Sequence, residues 1–134
     1  MMTGLKIGAN GLRMRLAAVP ESVPEARAQV RGWCEQTGFC ERTRDDLLLA
    51  VSEAVANVVV HAYPGRRRGT FSLEIGRDAG DVVISISDEG VGLSGAPASS
   101  GCGLGLAIIE RMFPGSTFVA AEPGTHVTIR APIA

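Results

Sequence analysis

From Leu47 to Val60 the chain is apolar almost without a break, while Asp46, Glu53, Asn57 and His61 recur within it at spacings of seven, four and four. At about 3.6 residues per turn, those spacings put all four on one narrow stripe of a helix, with small Ala50 between them. Leu47, Leu48, Val51, Ala54, Val55, Val58 and Val59 cover a broad side, and Leu49, Ala56 and Val60 extend apolar surface further round. A helix apolar nearly all round is a buried one. It is expected to start after Thr43, whose hydroxyl serves as cap with Asp46 near the positive helix end, and to stop at Pro64. A buried carboxylate and amide one turn apart need partners, because an unpaired charge in an apolar site is costly. Glu53 and Asn57 either bond one another, backbone or an arginine, or they serve a ligand. The polarity of the stripe favours the ligand. His61, close to Pro64, reads as a structural hydrogen-bonding group.

The rest of the chain supplies a sheet for that helix. Leu12, Met14, Leu16 and Ala18 alternate with Arg13, Arg15 and Ala17, a half-buried strand ending at Pro20. Val23, Ala26, Val30 and Trp33 recur at helical spacing from Ser22 to about Gln36, with Pro24 in the first turn and Gly38 just past the end. Thr70 to Gly76 and Asp81 to Asp88 alternate around Asp78-Ala79-Gly80, a hairpin. Gly115 to Ala121 and Thr125 to Ala131, split by Glu122-Pro123-Gly124, read as a second hairpin. A short helix from about Leu104 to Phe113 lies between the hairpins. No repeat or interdomain linker is visible. The expected architecture is α+β, a two-layer α/β sandwich with a mixed, mostly antiparallel sheet and helices on one face, formed by residues 1–134 as one domain.

Composition narrows the functional classes. A length of 134 residues with 46% hydrophobic and 20% charged residues suits one globular domain. A net charge of −1, from 14 acidic and 13 basic residues, provides no general attraction to nucleic acid or anionic lipid. Lys6 is the only lysine, which excludes the lysine-dependent phosphate loop. Cys34, Cys40 and Cys102 lack metal or redox spacing, so unpaired thiols in a reducing cytoplasm are expected. Residues Met1 to Gly11 have no signal-peptide core, and no run is long enough to span a membrane.

Two further constellations carry chemistry. Asp88-Glu89-Gly90-Val91-Gly92 follows Val82 to Ser87, and strand alternation puts Asp88 on the face of Val82, Ile84 and Ile86. A carboxylate at the rim of an apolar pocket, followed by glycines that allow close backbone approach, suits a flat base with an exocyclic amine. Gly101-Cys102-Gly103-Leu104-Gly105-Leu106 leads directly into a helix, where free backbone N–H groups and the helix dipole can hold a triphosphate. Either motif alone is weak, since Asp-Gly turns and glycine loops are common.

The order is specific: Glu53-x-x-x-Asn57 on a helix, Asp88-x-Gly90-x-Gly92 after a strand, Gly101-x-Gly103-Leu104-Gly105-Leu106 before a helix, then Gly124-Thr125. This series, from about Asp45 to Ile129, resembles the GHKL ATPases of the Bergerat fold. Within them, Ala50 to Asn57 followed by His61-Ala62-Tyr63 looks most like the bacterial anti-sigma-factor serine kinases, and the length agrees with a single ATP-binding domain. The resemblance implies ATP and Mg²⁺ as cofactors. Asn57 would bind the metal through its amide oxygen, which suits the oxygen-seeking ion. Asp88 would accept from the adenine amine, supported by Thr125 on the strand face of Val127 and Ile129. Gly90, Gly92, Gly101, Gly103 and Gly105, with Leu104, would close around the nucleotide. Glu53 would be the general base.

The same resemblance implies a sigma factor and an anti-anti-sigma substrate as partners, and allows a homodimer to which the Leu12 to Ala18 strand contributes. One departure concerns the lid. Only Leu93 to Ser100 separate the two glycine motifs, with Ser94, Ser99 and Ser100 but no basic residue, so charge stabilisation for phosphoryl transfer must come from Mg²⁺, backbone or a distant arginine. Three readings therefore stand: an anti-sigma-factor serine/threonine kinase, a nucleotide-binding module acting by protein contact alone, and a subunit of a larger ATP-hydrolysing machine.

Overall fold

A computed structural model describes residues 11–62, 69–90, 102–120 and 124–132, without side chains for 102–106 and 120. The alternation near the start forms β1 (Leu12–Ala17), its apolar residues half-buried and its arginines exposed. Ser22 is buried where α1 (Ser22–Thr37) begins, and its hydroxyl donates to the Ala17 carbonyl at 2.6 Å, tying the helix start to the strand end. Ala26, Val30, Trp33 and Cys34 form the buried stripe of α1. Gly38 ends it in the left-handed region (φ 70°), with its N–H on the Cys34 carbonyl at 2.8 Å.

That left-handed turn corrects the expectation for two of the cysteines. It folds the chain back over the last turn of α1, so Cys34 and Cys40 come within 5.6 Å Cα to Cα and form a disulfide rather than remaining unpaired thiols. Both are buried. Trp33 and Phe39 pack beside them with ring centroids 6.1 Å apart, and the Arg77 guanidinium lies 4.0 Å over the Phe39 ring. The side chain of Cys102 lies outside the described residues.

The second helix, α2, spans Arg44–Asn57 and continues as a π-helical turn over Val58–Ala62. Two expectations are revised here. Thr43 does not cap with its hydroxyl, because its backbone (φ −108°, ψ 8°) is outside the extended conformation a capping side chain requires. Its Oγ1 is buried and has no hydrogen-bond partner among the described residues. The α-helical ladder gives way after Asn57 to the π turn, which runs to Ala62, and the expected stop at Pro64 lies outside the described residues. The carbonyl of Ala62 meets Gly90, a tertiary contact that local sequence does not encode. Nor is the helix buried all round: Leu47, Leu48, Ala50, Val51, Ala54 and Val55 are in the core, whereas Leu49 is 45% exposed and Val60 64%.

Strands β2 (Thr70–Asp78) and β3 (Asp81–Asp88) form the expected hairpin. Its two-residue turn has positive φ at both positions, Ala79 (53°) and Gly80 (91°), the geometry that matches strand twist. Arg130 fastens the hairpin from outside, with 2.8 Å ion pairs to Asp78 and Asp81. After α3 (Cys102–Met112) come β4 (Thr117–Ala120) and β5 (Thr125–Pro132), the second expected hairpin. The sheet order is β1-β2-β3-β5-β4. Every pairing among the described strands is antiparallel, so the sheet is not mixed: α3 and β4 return the chain so that β5 enters beside β3 in the opposite direction.

One sheet face presents Leu73, Ile75, Ile84, Ile86, Val127 and Ile129, which form a single core with Val30, Leu47, Val51, Val55 and Ile109 of the helices. Burying each such side chain contributes about 1.5–3 kcal/mol. The other face carries Ser72, Glu74, Ser85, Ser87 and Thr128 around His126, whose Nε2 and Nδ1 lie 2.6 and 3.2 Å from the Ser85 and Ser87 hydroxyls. Among the described residues no helix is long and apolar enough to cross a membrane.

Candidate functional site

Period-two alternation along β3 delivers Asp88 to the core side of the strand end, as the sequence pattern requires. Only 8% of Asp88 is exposed, and Thr125, also 8% exposed, stands directly opposite it on β5. Asp88 Oδ1 accepts from the Gly90 N–H at 2.9 Å. Burial pushes the Asp88 carboxyl above its ordinary pKa of 3.8, and backbone hydrogen bonds from Gly90 and Thr125 offset part of that rise. A carboxylate offers about four acceptor positions, so these bonds leave capacity for a donor such as an exocyclic amine.

Two glycines make the approach around Asp88 possible. A side chain on Gly90 would overlap the carbonyl and Cβ of Ala62, so this glycine lets the end of the π turn lie against the end of β3. A side chain on Gly124 would overlap the carbonyl of Asp88, and Gly124 itself is in the left-handed region (φ 96°). By sequence Gly124 stands only as the first half of the Gly124-Thr125 motif; in the fold it is the residue that lets β5 lie against the Asp88 carbonyl.

The contact between Gly90 and Ala62 couples the strand end to α2, which carries Glu53 and Asn57. Both residues are half-buried, so Glu53 lacks the full desolvation inferred from an all-round buried helix. Asn57 Nδ2, however, is buried and has no hydrogen-bond partner among the described residues. Leaving a buried donor unmatched costs about 1–3 kcal/mol, a cost that a bound acceptor such as a phosphate oxygen removes. His61 is half-buried in the π turn, and Asp46 is exposed at the start of α2, so the expected stripe runs from solvent to interior. Gly92 and Gly101 lie outside the described residues. Gly103, Leu104 and Gly105 fall in the first turns of α3, whose side chains are not described.

No group of three His, Cys, Asp or Glu side chains among the described residues forms a metal cage. The Asn57 amide oxygen is the kind of ligand that Mg²⁺ shares with phosphate and water. A cleft of about 550 Å³ lined by Leu12, Gly32, Trp33 and Phe39 lies at the opposite end of the sheet from Asp88 and belongs to no part of this constellation.

Comparison with known proteins agrees with this geometry. The family model of the histidine kinase-like ATPase domain matches residues 16–131, and the chain belongs to that family. Among its relatives is the serine-protein kinase RsbW of Oceanobacillus iheyensis, 35% identical over 79 residues that make up 59% of this chain and 50% of that protein. The serine-protein kinase RsbW of Bacillus subtilis is 33% identical over 86 residues, 64% of this chain and 54% of that protein. The aligned region thus spans about half the length of these relatives. A crystal structure of the RsbU and RsbW domains from Mycobacterium tuberculosis superposes with a TM-score of 0.73 at 24% identity, covering 92% of this chain and 32% of that one, a likeness of fold.

Proposed function

We propose that this chain is an anti-sigma-factor serine/threonine-protein kinase of the cytoplasm, which binds Mg-ATP, sequesters a sigma factor and phosphorylates an anti-anti-sigma partner on serine. The observation that carries the reading is the buried Asp88 carboxylate facing Thr125 at the end of β3, which Gly90 holds against the end of the helix that bears Asn57. Similarity to serine-protein kinases supports the reaction class.

In this reading Asp88 accepts from the adenine amine while Thr125 supports the contact, and Asn57 offers its amide oxygen to Mg²⁺. The glycines Gly90, Gly92, Gly101, Gly103 and Gly105, with Leu104, line the phosphates. Magnesium, when bound, neutralises charge on the transferred phosphoryl group. Glu53 stands one turn from Asn57 and takes the proton from the acceptor serine hydroxyl. The serine oxygen bonds to the γ-phosphorus as the bridging bond to the β-phosphate breaks, and ADP leaves.

A positioned base contributes about 10²–10⁴-fold to rate, whereas a carboxylate that does not touch the nucleotide adds little to its ground-state binding. Glu53→Gln therefore keeps ATP and partner binding and loses single-turnover transfer of labelled γ-phosphate. Wild-type transfer by Glu53→Gln removes the base assignment and passes it to Asp46 or Glu89. The short lid without a basic residue favours a second reading, a nucleotide-binding module that acts by protein contact alone. Wild-type protein that binds ATP and partner yet transfers nothing selects that reading.

A further inference from the structure

Leu49, Ala56 and Val60 follow one another at spacings of seven and four, so they lie along one line of α2 and its π turn, on the side away from the core. Leu49 is 45% exposed, Ala56 half-buried and Val60 64% exposed. This apolar crest is what an all-round buried helix would hide, and no described element covers it. Glu53 is a helix neighbour of Leu49, four residues before it, of Ala56, three after, and of Asn57, four after. It therefore stands between the crest on one side and Asn57, toward the nucleotide, on the other.

That placement has a consequence for the acceptor. A base must come within about 3 Å of the hydroxyl it deprotonates, and a serine hydroxyl is only one carbon from its backbone. The acceptor chain must then pass close over Glu53, while helix neighbours of Glu53 have their Cβ atoms only about 5–6 Å away. The residues on either side of the acceptor serine consequently fall on Leu49 at one end and on Ala56 and Val60 at the other, over a strip of about 16 Å. We infer that the Leu49–Ala56–Val60 crest is the docking strip for the protein acceptor and takes up apolar side chains that flank its phosphorylated serine. The inference rests on the kinase reading of Glu53, and it adds the residues that select the acceptor.

The test compares wild type with Leu49→Gln/Val60→Thr, using purified anti-anti-sigma proteins of the source organism as acceptors. Steady-state transfer, direct acceptor binding, ATP affinity and thermal melting are read in parallel. The expected result is at least a tenfold rise in acceptor KM, with the ATP affinity and melting temperature of wild type. Leu49→Met/Val60→Ile keeps KM within about twofold, since it preserves the apolar surface. If the double variant is unstable, Leu49→Gln alone is measured in its place, with at least a threefold rise expected. An unchanged KM overturns the inference while leaving the kinase reading intact. If wild type binds an acceptor but transfers nothing, the kinase reading fails and the binding arm decides: weaker binding by the variant retains the docking strip, and equal binding overturns it. If wild type neither binds nor phosphorylates any of these acceptors, both fail. If wild type proves to be a dimer and the variant a monomer, the crest belongs to a second copy of the chain and the inference is overturned.

Discussion

The two ends of the sheet are built by opposite means. At the end holding Asp88, backbone touches backbone: Gly90 against Ala62, and Gly124 against the Asp88 carbonyl, with a buried carboxylate and an orphaned amide nearby. At the other end, where α1 turns toward α2, side chains do the packing: Trp33 on Phe39, Arg77 over Phe39, and the buried Cys34–Cys40 disulfide. One end depends on absent side chains and holds a buried carboxylate with acceptor capacity to spare. The other is filled by side chains and cross-linked, even though Thr43 Oγ1 and Arg44 Nε are buried there without a hydrogen-bond partner among the described residues. Close approach of bare backbone leaves room that a ligand can occupy, whereas packed side chains fill it.

Adding atoms at the first end has the largest expected effect. Gly124→Val places a β-branched residue at φ 96° and drives it into the Asp88 carbonyl. Backbone strain of about 1–3 kcal/mol and overpacking of about 1–3 kcal/mol act together, so denaturant melts should show a loss of about 3 kcal/mol or more, with ATP binding abolished. Wild-type stability and affinity in this variant would mean that β5 does not press on Asp88.

At the second end the expected loss is smaller and does not reach the site. Removing a cross-link over so short a loop costs about 2 kcal/mol in the chain-entropy account. Reductant, or Cys34→Ala/Cys40→Ala, should lower the melting temperature while ATP affinity stays unchanged. A melt indifferent to reductant would place free thiols in solution, and coupled loss of ATP affinity would show that the two ends are not independent.

Asp88→Asn changes the least and sharpens the contrast most. The amide keeps an acceptor for the Gly90 N–H but can present a donor to the adenine amine in the proposed complex, a mismatch of about 1–3 kcal/mol, so titration calorimetry should show ATP affinity at least tenfold weaker in a folded protein. The pH dependence has a definite sign. Because burial raises the Asp88 pKa above 3.8, the folded state favours the protonated form, and its contribution to stability is fully present below that value and declines as pH rises through the raised one. Relative to Asp88→Asn, wild type should therefore lose stability as pH rises above about 4 and level off once the pH has passed the raised value. A stability difference independent of pH would remove the desolvated carboxyl from the site.

Much of this was legible in the residues. Alternation placed β1 and sent Asp88 to the core face, because a strand's period of two leaves a side chain only two directions. Helical spacing placed α1, with Gly38 as its left-handed stop, and Asp78-Ala79-Gly80 marked the hairpin turn, since few residues tolerate the conformations needed there. The motif series pointed to the family because each motif is short and the order of the motifs is read directly along the chain. Tertiary structure decided the rest. The Cys34–Cys40 pairing depends on where a left-handed turn returns the chain, which six residues of spacing do not specify. The exposure of Leu49 and Val60 depends on which neighbours pack against α2, and a helix apolar nearly all round does not say which side they choose. The close approaches of Gly90 to Ala62 and of Gly124 to Asp88 join segments far apart in the chain. Local rules determine conformation and direction because they act within a turn or a strand; burial and contact are properties of the surroundings, and those exist only once the sheet and helices have met.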